Sequence, residues 1–291
     1  MEIERLTERV SYVPNPVNIG VVHAENSSVL IDSGIDESVP RKVSRLLEKP
    51  PLYLINTHSH ADHCGGNAFL KKRFSTRVLA SELEKEIIEH TVLEPFYLYG
   101  AFPPEELRNK FLMAKPSKVD ETLKEGPLIL DGVELEIVSL SGHSPGQIGV
   151  AVNGVLFCAD SVFSEESIKK HKIFVVYNVE KFLETLDFLE KANYNYYVPS
   201  HGKVVQDIKE LVELNRKTVE SVINTILDIL KVPAKTEELM KSLFDRFEIT
   251  LENLTQYVLY RSTVQAYLSF LLDKKEVERE FRENTLLWRQ V

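Results

Sequence analysis

The sequence predicts an α/β protein: a four-layer αββα sandwich over residues 1–207, followed by a mainly helical domain over residues 208–291. Three observations carry this expectation. Residues 1–160 alternate short apolar runs with turn residues, the pattern of strands. Helical segments follow the strands twice, so two strand-rich halves each bring helices to cover one face. From about residue 206 the texture changes to longer segments with apolar residues at helical spacing.

The elements follow in order. "VNIGVVHAENSSVLIDSG" holds two apolar runs around "HAENSS", a hairpin whose second strand ends at Asp32-Ser33-Gly34. "SVPRKVSRLLEK" reads as a helix, and "PLYLINTHSH" as a buried strand. "GGNAFLKKRF" is helical and "TRVLAS" a further strand. "PLILDGVELEIVSLSGHSPGQIGVAVNGVLFCADS" reads as antiparallel strands with turns at Asp131-Gly132, Ser141-Gly142 and Asn153-Gly154. The helix "VEKFLETLDFLEKA" and the strand "YNYYVPS" complete this part. Beyond it, "DIKELVELNRKTVESVINTILDILK" is a helix that Pro233 stops. "KTEELMKSLFDRF" and "TVQAYLSFLLDKK" are two more, with "LENLTQYVLYR" as an additional one. The tail "EVEREFRENTLLWRQV" alternates like a hairpin turning near Glu283-Asn284, so helices followed by a hairpin give the order of a winged helix.

Composition narrows the function classes. With 43% hydrophobic and 27% charged residues the chain reads as globular and soluble, and no apolar run reaches the ~20 residues that cross a bilayer, so no membrane partner is expected. Two cysteines make no disulfide framework, and "MEIERLTERV" has no signal-peptide pattern, so the expected location is the cytoplasm. A net charge of −9 disfavours a polyanion as obligatory partner. A small-molecule substrate is therefore expected before a nucleic acid.

The chemistry concentrates in "His58-Ser-His60-Ala-Asp62-His63". At the end of a strand, His58 and His60 would point the same way and share one metal, while the following turn carries Asp62 and His63 toward a second. Imidazoles with a carboxylate form a hydrolytic ligand set suited to zinc, iron or manganese. Gly65-Gly66 reads as a tight turn that starts a helix with its N-terminal amides facing the site. Three further strand ends supply His143 in "SGHSPG", Asp160 in "FCADS" and His201 in "VPSHG". Seven ligands at strand ends are what two metals in one cleft need. Cys64 reads as a small packed residue and Cys158 as core. His171, amid lysines, reads as solvated surface. Asp32 and Ser161 read first as turn formers, with a hydrogen bond to a ligating imidazole as the alternative. "EHTVLEPFYLYGAFPPEELRNKF" either caps the cleft or packs on the core as a helical insertion.

The order H-x-H-x-D-H, G-H-S-P-G, A-D and P-S-H-G resembles the metallo-β-lactamase-fold hydrolase superfamily over about residues 10–205. The resemblance implies two divalent ions, His58, His60 and His143 on the first, Asp62, His63 and His201 on the second, and Asp160 bridging both. It also implies hydrolysis by a metal-bridging hydroxide, with Asp62 orienting it and receiving its proton. His60 departs from the flavodiiron branch, which has Glu there. The region after residue 206 is similar to the winged-helix-like extension of lactamase-β-2-like members, alongside glyoxalase II-like ones. The leading expectation is a hydrolase of esters, thioesters or lactones. The alternatives are a phosphodiesterase or single-strand RNA endonuclease, and a mononuclear-iron enzyme like the persulfide dioxygenases. The mixed charges of "DKKEVEREFREN" point to a packing or homodimerisation role for the tail.

Overall fold

The computed structural model describes residues 1–291. One sheet takes its seven strands in sequence order: β1 (Glu4–Arg5), β2 (Val10–Val13), β3 (Ile19–His23), β4 (Ser28–Ile31), β5 (Pro51–Ile55), β6 (Arg77–Ser81) and β7 (Glu121–Leu123). β1 to β4 are antiparallel, and β4 to β7 are parallel. Parallel neighbours need crossovers. Here these are α1 (Ser38–Val43), then α2 (Ala61–Cys64) with α3 (Asn67–Phe74), then α4 (Glu82–Glu89) with α5 (Leu93–Tyr99).

The second sheet runs β12-β11-β10-β9-β8, built from β8 (Gly126–Leu130), β9 (Val133–Ser139), β10 (Ile148–Val152), β11 (Val155–Ala159) and β12 (Tyr196–Pro199). Its hairpin turns use paired positive φ angles, 44° and 75° at Asp131-Gly132 and 48° and 76° at Asn153-Gly154, which suits two-residue turns between twisted strands. β11 and β12 are parallel, joined through α6 (Glu165–His171) and α7 (Val179–Lys191). The remaining elements are α8 (Lys209–Ile229), α9 (Thr236–Arg246), α10 (Leu254–Asp273) and a hairpin of β13 (Val277–Arg282) and β14 (Thr285–Gln290).

Three apolar clusters separate four layers, as the sequence predicts. Ile31, Ile55 and Leu79 of the first sheet meet Ile137, Val150 and Phe157 of the second between the sheets. Val43, Leu70 and Ile88 cover the outer face of the first sheet. The outer face of the second sheet buries Phe182 and Leu186 of α7 in one cluster with Val219, Leu243, Tyr267 and Val277, so the C-terminal elements share their core with the sandwich. No helix is long and apolar enough to cross a membrane.

Two local expectations are corrected. The segment read as two helices, "LENLTQYVLYR" and "TVQAYLSFLLDKK", is one helix of 20 residues, because no Gly or Pro interrupts it. The helix read over "SVPRKVSRLLEK" stops at Val43, and the chain passes through a turn before β5.

Candidate metal centre

All seven candidate residues lie at one end of the sandwich, where β5, β9, β11 and β12 finish. β5 ends at Ile55, so His58 and His60 stand in the loop beyond it rather than within the strand. Their convergence therefore comes from the loop's path and not from strand alternation, and their rings meet edge to face at 4.6 Å. Asp62 and His63 are on the single-turn helix α2. His143 is in the β9–β10 loop, Asp160 follows β11, and His201 follows β12.

Gly65 and Gly66 form the expected turn from α2 into α3, but the turn is not what requires glycine there. Gly65 and Gly66 are in ordinary helical backbone, with φ of −62° and −86°. A Cβ on Gly65 would stand 2.1 Å from the Ile35 carbonyl oxygen, and one on Gly66 2.5 Å from that of Ser33. Close backbone approach, not a turn, requires glycine at both. The Gly66 amide donates to Ser33 Oγ and the Gly34 carbonyl rather than facing the site.

Potential ligand atoms gather in three overlapping groups: His58, His60 and His143; His58, His63 and Asp160; and Asp62, His63 and His201. In the first, Nε2 of His58 and Nε2 of His143 stand 3.1 and 3.0 Å from Nδ1 of His60. In the last, His201 Nε2 is 3.4 Å from Asp62 Oδ2. Asp160 stands between them, 3.4 Å from His143 Nε2, 3.5 Å from His201 Nε2 and 3.6 Å from His63 Nε2. His63 Nε2 and Asp160 Oδ1 are buried with no hydrogen-bond partner. Buried polar atoms are seldom left so, and here they face convergent nitrogen and oxygen donors. That donor set fits divalent cations of the zinc, iron or manganese kind.

The outer ring nitrogens are braced. His63 Nδ1 is 2.8 Å from Asp32 Oδ2, and His143 and His201 donate from Nδ1 to the carbonyls of Val175 and Pro16, each at 2.8 Å. Thr57 Oγ1 donates to Asp32, which leaves it to accept from His58 Nδ1 at 3.1 Å. His60 Nε2 faces the buried carboxyl of Glu94 at 3.9 Å. These contacts fix which nitrogen of each ring is turned inward.

Charge differs across the centre. Burial, reinforced by the neighbouring imidazoles, lowers His58, His60 and His143, the last to about 4, which favours neutral imidazole. Asp160 pushes His201 up to about 10 against the effect of burial. Burial likewise opposes the charge of His63, yet Asp160, Asp32 and Asp62 raise it well above its ordinary value. Asp62 and Asp160 stay well below the usual carboxylate range because these histidines outweigh burial. Three neutral nitrogens thus adjoin a carboxylate-rich half with a marked attraction for cations.

Asp62, His143, Asp160 and His201 open on a cavity of about 370 Å³, walled by Phe163, Ile173, Phe174, Leu259 and Tyr260. Leu259 and Tyr260 come from α10, so the C-terminal region builds part of the wall. His171, read as solvated surface, lines this cavity too, and its carbonyl accepts from the Tyr260 hydroxyl at 2.9 Å. No lysine or arginine is in the lining. The aromatic insertion does not wall the cavity: Leu98, Leu107 and Leu112 pack with Val258 of α10 in a small separate cluster.

Sequence reasoning missed the buried polar groups beneath the ligands. Glu84, fully buried, accepts from the Ser59 amide at 2.8 Å, the Ser144 hydroxyl at 2.6 Å and the Gly146 amide at 2.7 Å, tying the His58–His60 loop to the His143 loop. Asn67 donates to Asn56 Oδ1 and accepts from Ser33 Oγ, both at 2.7 Å, under α2. The apolar run before Asn56 was a signal for that residue, while Glu84, beside Glu82, Lys85 and Glu86, carried none. Asp32 has both roles considered for it, a φ of 62° at the strand end and the contact to His63. Ser161 has only a local one, donating to the Cys158 carbonyl. The Cys64 thiol donates to the Ser59 carbonyl and belongs to none of the three groups.

Comparison with known proteins agrees with this fold. The family model described as "Metallo-beta-lactamase superfamily" matches residues 12–201. The chain is 28% identical over 153 residues to a hydroxyacylglutathione hydrolase of Mesorhizobium japonicum, covering 50% of this chain and 49% of that one. It is 29% identical over 147 residues to a hydroxyacylglutathione hydrolase of Aeromonas hydrophila, covering 50% and 46%. The chain thus spans about half the length of these curated relatives. Among solved structures, a metallo-β-lactamase family protein from Thermus thermophilus superposes with a TM-score of 0.73 at 20% identity, over 97% of this chain and 98% of that one. A β-lactamase domain protein from Burkholderia ambifaria superposes with a TM-score of 0.75 at 18% identity, over 99% and 93%. The shared fold extends through the C-terminal elements, beyond the family match.

Proposed function

This chain belongs to the metallo-β-lactamase superfamily, and from that premise we propose that it is a dinuclear metal-dependent hydrolase of thioesters or esters with an uncharged, apolar acyl arm. One observation carries the reading: Asp160, whose buried Oδ1 has no partner, groups with His58 of one ligand set and His63 of the other at the floor of an apolar-walled cavity. His58, His60 and His143 would hold one ion, Asp62, His63 and His201 the other, with Asp160 common to both. When bound, the two divalent ions supply Lewis-acid polarisation of the scissile carbonyl and acidify the water that attacks it.

The chain's own residues supply the rest. Asp62, with 39% of its side chain exposed, offers a carboxylate to the attacking water, accepts a hydrogen bond from it and receives its proton. Phe163, Ile173, Phe174 and Leu259 bind the acyl arm and exclude bulk water around the carbonyl. Relatives named for hydroxyacylglutathione hydrolysis make a thioester the first bond to test. Glutathione carries two carboxylates, however, and no lysine or arginine of the cavity wall is there to receive them. The same lack of lysine and arginine weighs against an extended phosphodiester backbone. The winged-helix order of α8 to β14 serves here as a wall and support for the cavity, through Leu259 and Tyr260.

The test is a panel run on metal-loaded full-length protein: a butyryl thioester with a neutral thiol, a p-nitrophenyl ester, a hydroxyacylglutathione, bis-p-nitrophenyl phosphate, a short RNA and a persulfide. The neutral acyl thioester is expected to exceed the glutathione thioester by about tenfold or more in kcat/KM. His60→Ala should abolish turnover and lower the metal content below two per chain. Leu259→Arg should narrow or reverse the preference against the glutathione thioester. Preference of wild type for hydroxyacylglutathione, turnover confined to phosphodiesters, or a single iron with persulfide oxidation would overturn the proposal.

A further inference from the structure

On the first sheet's side of the molecule, away from the metal cavity, α1, α3 and the segment after α5 enclose a groove of about 880 Å³. Arg41, Lys72, Arg73, Arg108, Lys110 and Lys115 line it, six cationic side chains against the two acidic ones of Asp36 and Glu37. The whole chain carries a net charge of −9, so this face opposes the sign of the rest. Of the six, Arg41 alone has a carboxylate within ion-pairing distance, Glu37 at 2.6 Å. Gathering like charges without counter-charges raises the local potential and favours a bound anion.

Phe69 lines the groove, and Phe102 and Phe111 flank it beside its lining residues Arg108 and Lys110. The Arg41 guanidinium lies 5.1 Å from the Phe69 ring centre, Arg108 lies 5.5 Å from that of Phe102, and the Lys110 ammonium 5.5 Å from that of Phe111. Phe102 and Phe111 are 68% and 65% exposed, so two large apolar rings are left in solvent beside free cations. Cations suit phosphates, and exposed phenyl rings suit the flat face of a base. The volume is that of a small-molecule site.

We infer that this groove is a second binding site, for a small phosphorylated nucleotide such as a nucleoside diphosphate. The phosphates pair with Lys72, Arg73 and Arg108, and the base stacks on Phe102 or Phe111. The site shares no lining residue with the metal cavity, so it does not depend on the reaction proposed there.

Calorimetric titration of metal-loaded full-length protein with ADP, adenosine, pyrophosphate and a 20-nucleotide oligothymidylate tests this. ADP is expected to bind more tightly than adenosine or pyrophosphate. The double substitution Lys72→Glu with Arg73→Glu should weaken ADP by about tenfold or more. Phe102→Ala with Phe111→Ala should weaken ADP by about fivefold or more and leave pyrophosphate unchanged. All four positions are exposed, and an unchanged circular dichroism spectrum and melting temperature report that each variant is folded. Lys191→Glu, an exposed lysine outside the groove, should bind as wild type. No ADP binding, ADP binding indifferent to these groove substitutions, or pyrophosphate equal to ADP would each overturn the inference. So would oligothymidylate binding far more tightly than ADP with a steep salt dependence, which would mark a nucleic-acid surface instead.

Discussion

Asp32 Oδ2 lies 2.8 Å from Nδ1 of His63, while the same carboxylate receives the amide and hydroxyl of Thr57, each also at 2.8 Å. One buried carboxylate thus orients the His63 ring and pins the start of the ligand loop. Asp32→Asn tests the first role with little disturbance, because Asn tolerates the positive φ that Asp32 adopts. Affinity for the ion that involves His63 should fall by about 10–100-fold, measured by competition with a chelator. Unchanged affinity would show that the carboxylate does not tune the ring.

Glu84 holds together two loops that are distant in sequence. Glu84→Ala would leave the Ser59 amide, the Ser144 hydroxyl and the Gly146 amide without their acceptor in a buried place. A loss of about 3 kcal/mol in unfolding free energy is expected from equilibrium denaturation. Weakened metal binding should accompany it, since the His60 and His143 loops would no longer be fastened to each other. A variant as stable as wild type would mean that water replaces the carboxylate.

Gly65 is required by contact rather than by conformation. In Gly65→Ala the new methyl would press on backbone oxygen and carbon of Ile35, which cannot turn aside as a side chain would. Displacing α2, and with it Asp62 and His63, should cost about 3 kcal/mol and lower activity together with thermal stability. A crystal structure of the variant with α2 in place would contradict this.

Asp131 offers a pH-dependent check away from the metals. Hydrogen bonds from the Ser27 hydroxyl and the Asn26 side chain and amide hold its carboxyl down at about 2, below its ordinary 3.8. A depressed folded-state value contributes stability that is present above the unfolded value and lost as pH falls through the folded one. The advantage of wild type over Asp131→Asn in urea midpoint should therefore be full at pH 5 and shrink between about pH 4 and pH 2. An advantage that is constant across that range would refute the assignment.

Much of this protein was legible in the chain because local chemistry was dictated locally. Alternation and Asp-Gly or Asn-Gly turns marked the hairpins, and dense histidines at strand ends marked the cleft. The seven residues His58, His60, Asp62, His63, His143, Asp160 and His201 were all named from one sequence, and the fold brings them into overlapping groups. Their motifs could be read because each follows a strand whose apolar run is itself readable. What supports and surrounds them could not be read.

Glu84 is one acidic residue among many until the His58–His60 loop and the His143 loop bring its three donors to it. The apolar wall from α10 and the basic groove both join segments far apart in the chain, such as Arg41 with Lys110 or His143 with Tyr260. Spacing along a chain reports which face of one element a residue occupies. It carries no information on which other element that face will meet, and that was decided only by how the two sheets and their covering helices pack.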